Sequence, residues 1–369
     1  MREIYIGLMT GTSVDSIDCS LLDLSNKKIA LLDMQSRAIP SELKTQILEL
    51  SNSSNIDSEL LKKLDSLVAE ELIRSIKIII KKNNLNGKDI SAIGSHGQTI
   101  KHSPNITNPF SLQIGDPQLI ADRLGITTVA QFRIDDIQSG GQGAPLTPIF
   151  HEKVFRDEIK KVIVNIGGIT NITALDPVSK TIGFDTGPGN CLMDSWCRKN
   201  NKGNYDDKGE WASSGLVQED LLELMYQDPY FKKNYPKSTG PDYFNIGWLE
   251  NLFLSLKQEY LPEDIAATIL QLTCKSLCND IKKIGFDNNN IYLCGGGIHN
   301  DHLLKSIETE MGKRINTTES IGLDPDYLES ICFGWFAKQR LDGISFDLGE
   351  ITGSKGQVSL GRVWHPNLD

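Results

Sequence analysis

YIGLMTGTSVDSIDCSLLDL, residues Tyr5 to Leu24, is an apolar run that breaks into a Gly/Thr/Ser turn and leaves on a second alternating run. The same grammar returns past the midpoint as KVIVNIGGITNITALD, Lys161 to Asp176. Small residues in such turns leave backbone N–H groups bare, and clustered bare N–H groups form a concave anion site. One turn of this kind in each half predicts a chain of phosphates gripped from both sides, hence a nucleotide between two related domains. Strand patterns alternate with helical ones through the rest of the chain, which predicts an α/β protein.

Outward from the first turn, Tyr5 to Leu8 and Ile17 to Leu24 read as paired strands, with a third over Ala30 to Ala38. Leu60, Leu61, Leu64, Leu67, Leu72 and Ile76 recur at helical spacing within Ser58 to Lys82. Ile90 to Ser95 is a short strand that delivers HGQT, His96 to Thr99. Phe132 to Pro148 is rich in Gly and Pro and reads as a loop and a domain crossing, so the domains are expected at 1–130 and 131–369. In the second half Pro262 to Ile284 is a long amphipathic helix. Ile291 to Leu293 is a strand that runs into Cys-Gly-Gly-Gly, and Asp326 to Arg340 is the last major helix.

The 369 residues suffice for two domains with cores of their own. A net charge of −10 argues against a nucleic-acid partner, because phosphate backbones demand a basic footprint. No apolar run reaches membrane-spanning length and no secretory segment precedes the first strand, so the expectation is a cytoplasmic protein that does not bind membranes. The seven cysteines form no CxxC and read as core thiols rather than metal ligands. Neither GxGxxG nor GxxxxGK[ST] occurs, so neither a dinucleotide fingerprint nor a P-loop explains the nucleotide. The sequence leaves room for a homodimer.

Each candidate motif has a plainer competitor. In the first turn Gly11, Thr12, Ser13, Val14, Asp15, Ser16, Ile17 and Asp18 are the phosphate-binding candidates. Asp15 and Asp18 would hold Mg²⁺ through water; the competitor is an ordinary hairpin turn. In the second turn Asn165, Gly167, Gly168 and Thr170 play the phosphate role, since glycines permit close backbone approach. Asp185, in GFDTGPGN at an expected strand end before a helix, is placed to act as a base; its competitor is helix capping. Gly295, Gly296 and Gly297 would let adenine or ribose lie flat on the backbone, or would serve only close packing of strand and helix. His96, Gln98 and Thr99 could bond a polyol, against a structural histidine. Arg133 could grip a carboxylate bidentately, against a surface ion pair.

Taken in order, GLMTGTSVDSID, GSHGQTIKHSP, QIGDP, FRIDDIQSGGQGAPLTP, NIGGITNIT, GFDTGPGNCLMD, PKSTGPDYFN and LCGGGIHN resemble the anhydro-N-acetylmuramic acid kinases over nearly the whole chain. The resemblance implies a two-domain actin-like ATPase fold of the ribonuclease H type, with duplicated lobes and a central cleft. It implies ATP and Mg²⁺ on the two turns, adenosine near Gly295 to Gly297, and Asp185 as general base. His96, Gln98, Thr99, Arg133 and Glu329 would hold the sugar or its lactyl carboxylate. The implied reaction opens the 1,6-anhydro bridge of anhydro-N-acetylmuramic acid with water and phosphorylates O6. One carboxylate then suffices where ordinary glycosidases use two. Against the family pattern Thr10 stands for Ser, Ser16 for Gly, Gln131 for Asp and Pro241 for a basic residue, the last two on the sugar side. Two alternatives stay open on sequence alone. One is a conventional sugar kinase in which Asp185 deprotonates a substrate hydroxyl; the other is an ATPase that moves protein partners.

Overall fold

A computed structural model describes residues 2–26, 28–53, 55–104, 107–256 and 259–367. The chain forms two compact units, Met1–Val154 with Tyr327–Asp369, and Phe155–Asp326.

The first unit contains β1 (Ile4–Thr10), β2 (Ser16–Asp23), β3 (Ala30–Ala38), β4 (Ile90–Ser95), β5 (Gln98–Ser103), β6 (Phe110–Ile114) and β7 (Thr128–Ala130). Near the C-terminus it adds β13 (Phe346–Asp347), β14 (Gln357–Val358) and β15 (Arg362–Trp364). Its main sheet has the order β15-β7-β4-β1-β2-β3, with β5 and β6 in a separate hairpin. β1, β2 and β3 alternate in direction, and β4 and β7 run parallel to β1. Every residue of β1 is buried, as expected of a strand covered on both faces. On one face the Ser58–Lys82 helix, capped by Asp57, buries Leu64, Val68, Leu72, Ile76 and Ile79. On the other lies the Leu328–Leu341 helix, so close that a side chain at Gly7 would meet the Ser330 carbonyl at 1.8 Å. One at Gly94 would meet the Phe333 carbonyl at 2.0 Å, so only glycine permits this contact.

This packing moves the domain boundary. It falls between Val154 and Phe155 rather than at 130/131, and the segment from Tyr327 onward returns to the first unit. The returning helix sits on β1 and β4, and β15 pairs with β7. The expected crossing loop is itself partly helical, over Ile134–Gln138 and Thr147–Phe155.

The second unit holds β8 (Lys161–Ile166), β9 (Ile169–Leu175), β10 (Ile182–Pro188), β11 (Asn290–Cys294) and β12 (Asn316–Thr317), in the order β10-β9-β8-β11-β12. β8, β9 and β10 alternate in direction, while β11 and β12 run parallel to β8. Numbered within each unit, β3-β2-β1-β4-β7 and β10-β9-β8-β11-β12 are the same 3-2-1-4-5 sheet with the same strand directions. That is the ribonuclease H-like lobe, duplicated as in the actin-like ATPases. The Pro262–Lys283 helix packs Ile265, Ile269, Leu272, Leu277 and Ile281 into one core with Val162, Val164 and Phe184. Cys274 and Cys278 share its buried face, and the cysteines are free thiols. Among the described residues no helix is long and apolar enough to cross a membrane.

Candidate active site

Asp185 lies inside β10 rather than at its end, because the strand continues to Pro188. Its pairing with Asn171 precedes a register shift between Asp185 and Gly187, a bulge of the kind that re-aims a side chain. The residue is buried, and its Oδ2 accepts the Ser238 hydroxyl at 2.9 Å and the Thr239 amide at 3.0 Å. Its own N–H donates to the Lys237 carbonyl at 3.0 Å, and its carbonyl accepts from the Tyr230 hydroxyl at 2.7 Å. Burial, with the charges of Asp185 and Asp280, pushes the Tyr230 phenol well above its ordinary range, so it stays a donor. Capping is not the role of Asp185: Gly189 occupies the cap of the Asn190–Lys199 helix. Tyr230, Lys237, Ser238 and Thr239 carry no role in the sequence reading. PKSTGPDYFN stands out there as a motif, but nothing local tells which side chain it serves.

The glycine loops of this unit share an edge. β8 and β11 are parallel neighbours with Asn165 opposite Cys294, so the Gly167–Gly168 turn and Gly295 to Gly297 both follow strand C-terminal ends. Open α/β sheets bind ligands at that edge. The Gly167 carbonyl accepts from the Asn190 amide at 2.8 Å, and that of Gly168 from Gly189 at 2.9 Å and Cys191 at 3.1 Å. The turn is thereby tied to the start of the helix that follows β10. Beside it the Thr170 hydroxyl is buried without a hydrogen-bond partner among the described residues. Of the three glycines, two have packing reasons. A side chain at Gly295 would meet Asn165 Oδ1 at 2.3 Å, and one at Gly297 would meet Ile166 Cγ2 at 2.2 Å. Gly296 is exposed, with its nearest such neighbour 4.0 Å away at Asn190 Nδ2, so packing does not require it.

In the first unit the turn after β1 is pinned by Val14, which is buried at a left-handed φ of 57° and donates its amide to the Gly11 carbonyl at 3.1 Å. A β-branched residue there is strained, a condition that clusters at ligand-binding turns. Gln98 supports the turn from below, donating Nε2 to the Gly11 carbonyl at 3.2 Å. It is fully buried, which makes it a strut of the turn more than a sugar contact. Thr99 Oγ1 accepts from Gln113 Nε2 at 3.3 Å. Asp15 is exposed and ion-paired with Lys44. Asp18 Oδ1 accepts the hydroxyls of Ser16 at 3.2 Å and Ser36 at 2.7 Å. Among the described residues no group of three or more His, Cys, Asp or Glu is arranged to hold a metal ion.

His96, at the end of β4, is buried between two fixed partners. Nδ1–H donates to the Gly97 carbonyl at 2.7 Å, and Nε2 accepts from Arg133 Nε at 3.1 Å and Nη2 at 2.9 Å. A guanidinium cannot accept, so the bonds assign the proton to Nδ1. Burial and then the Arg133 charge hold the imidazole well below its ordinary pKa, hence neutral. Arg133 also donates Nη1 to the Gly143 carbonyl at 3.0 Å. Its Nε–Nη2 edge, expected to face a carboxylate, is engaged by His96. Glu329, in the first turn of the Leu328–Leu341 helix, has its pKa pushed up to about 7 by burial, against the pull of Arg133 and with a push from Asp18. A cavity of about 320 Å³ opens beside His96, lined among others by Asp65, Ser95, Leu112, Gln113 and Gln131. Gln131 holds a left-handed φ of 53°, a conformation easier for the Asp of the family pattern.

The structure thus brings the expected residues into two groups, one within each unit: Gly11 to Asp18 with His96, Gln98, Thr99, Arg133 and Glu329, and Asn165 to Thr170 with Asp185 and Gly295 to Gly297. The family model described as anhydro-N-acetylmuramic acid kinase matches residues 3–366. A relative of that name from Coxiella burnetii is 43% identical over 367 residues, covering 98% of each chain. One from Pasteurella multocida is 41% identical over 368 residues, covering 99% of this chain and 97% of its own. Among solved structures, the activator of the 2-hydroxyisocaproyl-CoA dehydratase from Clostridium difficile with bound ADPNP aligns with 94% of this chain and 99% of its own, at a TM-score of 0.44 and 11% identity.

Proposed function

The chain belongs to the anhydro-N-acetylmuramic acid kinase family, and from that premise we propose how its residues carry the reaction. The substrates are ATP, water and 1,6-anhydro-N-acetylmuramic acid; the products are N-acetylmuramic acid 6-phosphate and ADP. Asp185 takes a proton from water as the water oxygen attacks the anomeric carbon opposite the bridge. The bond from that carbon to O6 breaks, and O6 takes the γ-phosphoryl group as its bond to ADP breaks. The observation that carries this reading is the buried Asp185 carboxylate, held through Oδ2 by Ser238 and Thr239. A base fixed in this way starts close to reacting geometry.

The two turns, Gly11 to Asp18 and Asn165 to Thr170, bind the phosphates, and exposed Gly296 offers backbone to the adenosine. Mg²⁺ keeps most of its water and takes one or two carboxylates, which Asp18 fits; Asp15 is already compensated by Lys44. Bound there through water, the cation would neutralise charge on the phosphates. His96, Thr99, Arg133 and Glu329 hold the sugar. With its pKa near 7 at neutral pH, the Glu329 carboxyl can donate to or accept from hydroxyl and amide groups, while neutral His96 holds the Arg133 guanidinium in place. A cytoplasmic place suits an ATP-dependent enzyme that recycles cell-wall sugar.

Turnover in ¹⁸O-labelled water tests the reaction. Label at the product's anomeric hydroxyl, sampled before mutarotation exchanges it, is expected; unlabelled product means a conventional kinase. Asp185→Asn is expected to bind ATP normally while turnover falls by a factor on the order of 10². Near-normal turnover would remove Asp185 from the role of base.

A further inference from the structure

We propose that Lys237 and Asp280 form a buried clamp that positions Asp185 and favours its ionised form, an inference that rests on Asp185 being the base. The tripeptide Lys237-Ser238-Thr239 has no regular secondary structure. It nevertheless makes three contacts to Asp185: a carbonyl for its N–H, and a hydroxyl and an amide for Oδ2. An irregular segment holds such geometry only if something anchors it. The anchor is Lys237 Nζ, which donates to Asp280 Oδ2 at 2.7 Å. Lys237 is 2% exposed and Asp280 6%. Asp280 stands on the Pro262–Lys283 helix, deep in the core of the unit.

An apolar anchor would hold the segment at least as well, because desolvating two charges is costly. A charged one has a further use beside a carboxylate. The ammonium lies over the rings of Phe184 at 5.5 Å and Tyr230 at 5.1 Å, and the Tyr230 hydroxyl bonds the Asp185 carbonyl. The Lys237 ammonium and the Asp185 carboxylate attract each other, and positive charge within such range favours the carboxylate over the acid. Among the described residues the ionisable groups around this point include Asp185, Tyr230, Lys233, Lys237, Asp280 and Lys283. Burial lowers the Lys237 pKa, while Asp280 and Asp185 raise it. Lys237 and Asp280 are therefore positioning residues that act through Asp185.

The test is steady-state kinetics on the full chain across about pH 5 to 9, with thermal unfolding in parallel. The variants are Lys237→Met, the pair Lys237→Met with Asp280→Leu, Ser238→Ala, and Asp185→Asn as reference. Lys237→Met leaves Asp280 buried and unpaired, and is expected to lose stability. The pair variant regains that stability but keeps the kinetic defect: kcat down about tenfold, KM for both substrates within about twofold, and the acid limb of kcat/KM moved up by about one pH unit. A purely structural role would move the unfolding midpoint and leave the acid limb in place. Ser238→Ala shifts the limb in the same direction with little change in stability. A folded pair variant with the unaltered kcat and acid limb overturns the proposal. If the pair variant does not fold, an unmoved limb in Ser238→Ala overturns it. Normal turnover in Asp185→Asn would instead sink the underlying assignment of the base, so the two failures are distinguishable.

Discussion

Replacing Glu329 with Gln measures how far its carboxyl departs from an ordinary one. Burial pushes its pKa from 4.5 to about 7, although Arg133 pulls the other way. All three guanidinium nitrogens of Arg133 donate to His96 or Gly143, which limits how closely it serves Glu329. A carboxyl whose folded pKa is raised binds more protons in the folded state than in the unfolded one. Its stabilising contribution is therefore complete below pH 4.5 and is lost as pH rises through about 7. The gap between the two values corresponds to at most about 3 kcal/mol, and partial solvent access brings it nearer to ~2 kcal/mol. Gln matches the protonated form in size and cannot ionise. In urea unfolding Glu329→Gln should equal the parent near pH 4 and exceed it by ~2 kcal/mol at pH 8. A gain independent of pH, or none at pH 8, would mean that the carboxylate is ionised and well paired in the folded protein, and the reasoning fails.

The glycine contacts make two further predictions. Gly94→Ala drives a methyl against the Phe333 carbonyl, a backbone atom that cannot rotate away. It should cost more than ~3 kcal/mol or abolish soluble expression; stability close to the parent's would refute the strand–helix contact. Gly296→Ala should leave stability within ~0.5 kcal/mol of the parent while raising the KM for ATP several-fold, whereas Gly297→Ala should destabilise through its clash with Ile166. A folded Gly296→Ala chain with unaltered ATP kinetics would take that loop out of adenosine binding.

What could be read from the sequence is what depends on near neighbours. The turns at Gly11 and Gly167 lie between apolar runs a few residues long, so pattern alone finds them. The domain boundary depends on the 328–341 helix reaching back to Gly7 and Gly94, a contact no local pattern encodes. Glycine and proline after Asp185 predict a strand end at that residue. β10 instead runs through Pro188, which costs little since β10 is the edge strand of its sheet. Ser238 and Thr239 lie more than fifty positions from Asp185, and only the folded chain reveals whose carboxylate they hold.

The shared topology also lets the two lobes be compared strand by strand. Strand register places Met9, Asp18 and Ser36 in one layer of the first lobe, and Asn165, Asn171 and Asp185 in one layer of the second. Each layer holds one carboxylate. In the first it stands on the middle strand, where the Ser36 hydroxyl bonds it. In the second it stands on the outer strand, where a segment from outside the sheet, Ser238 and Thr239, bonds it. The outer position admits those added donors because an edge strand has one side unpaired. Strand order is common to both lobes, so it does not by itself set the surroundings of either carboxylate. Those surroundings depend on which strand carries the acid and on what approaches it from beyond the sheet.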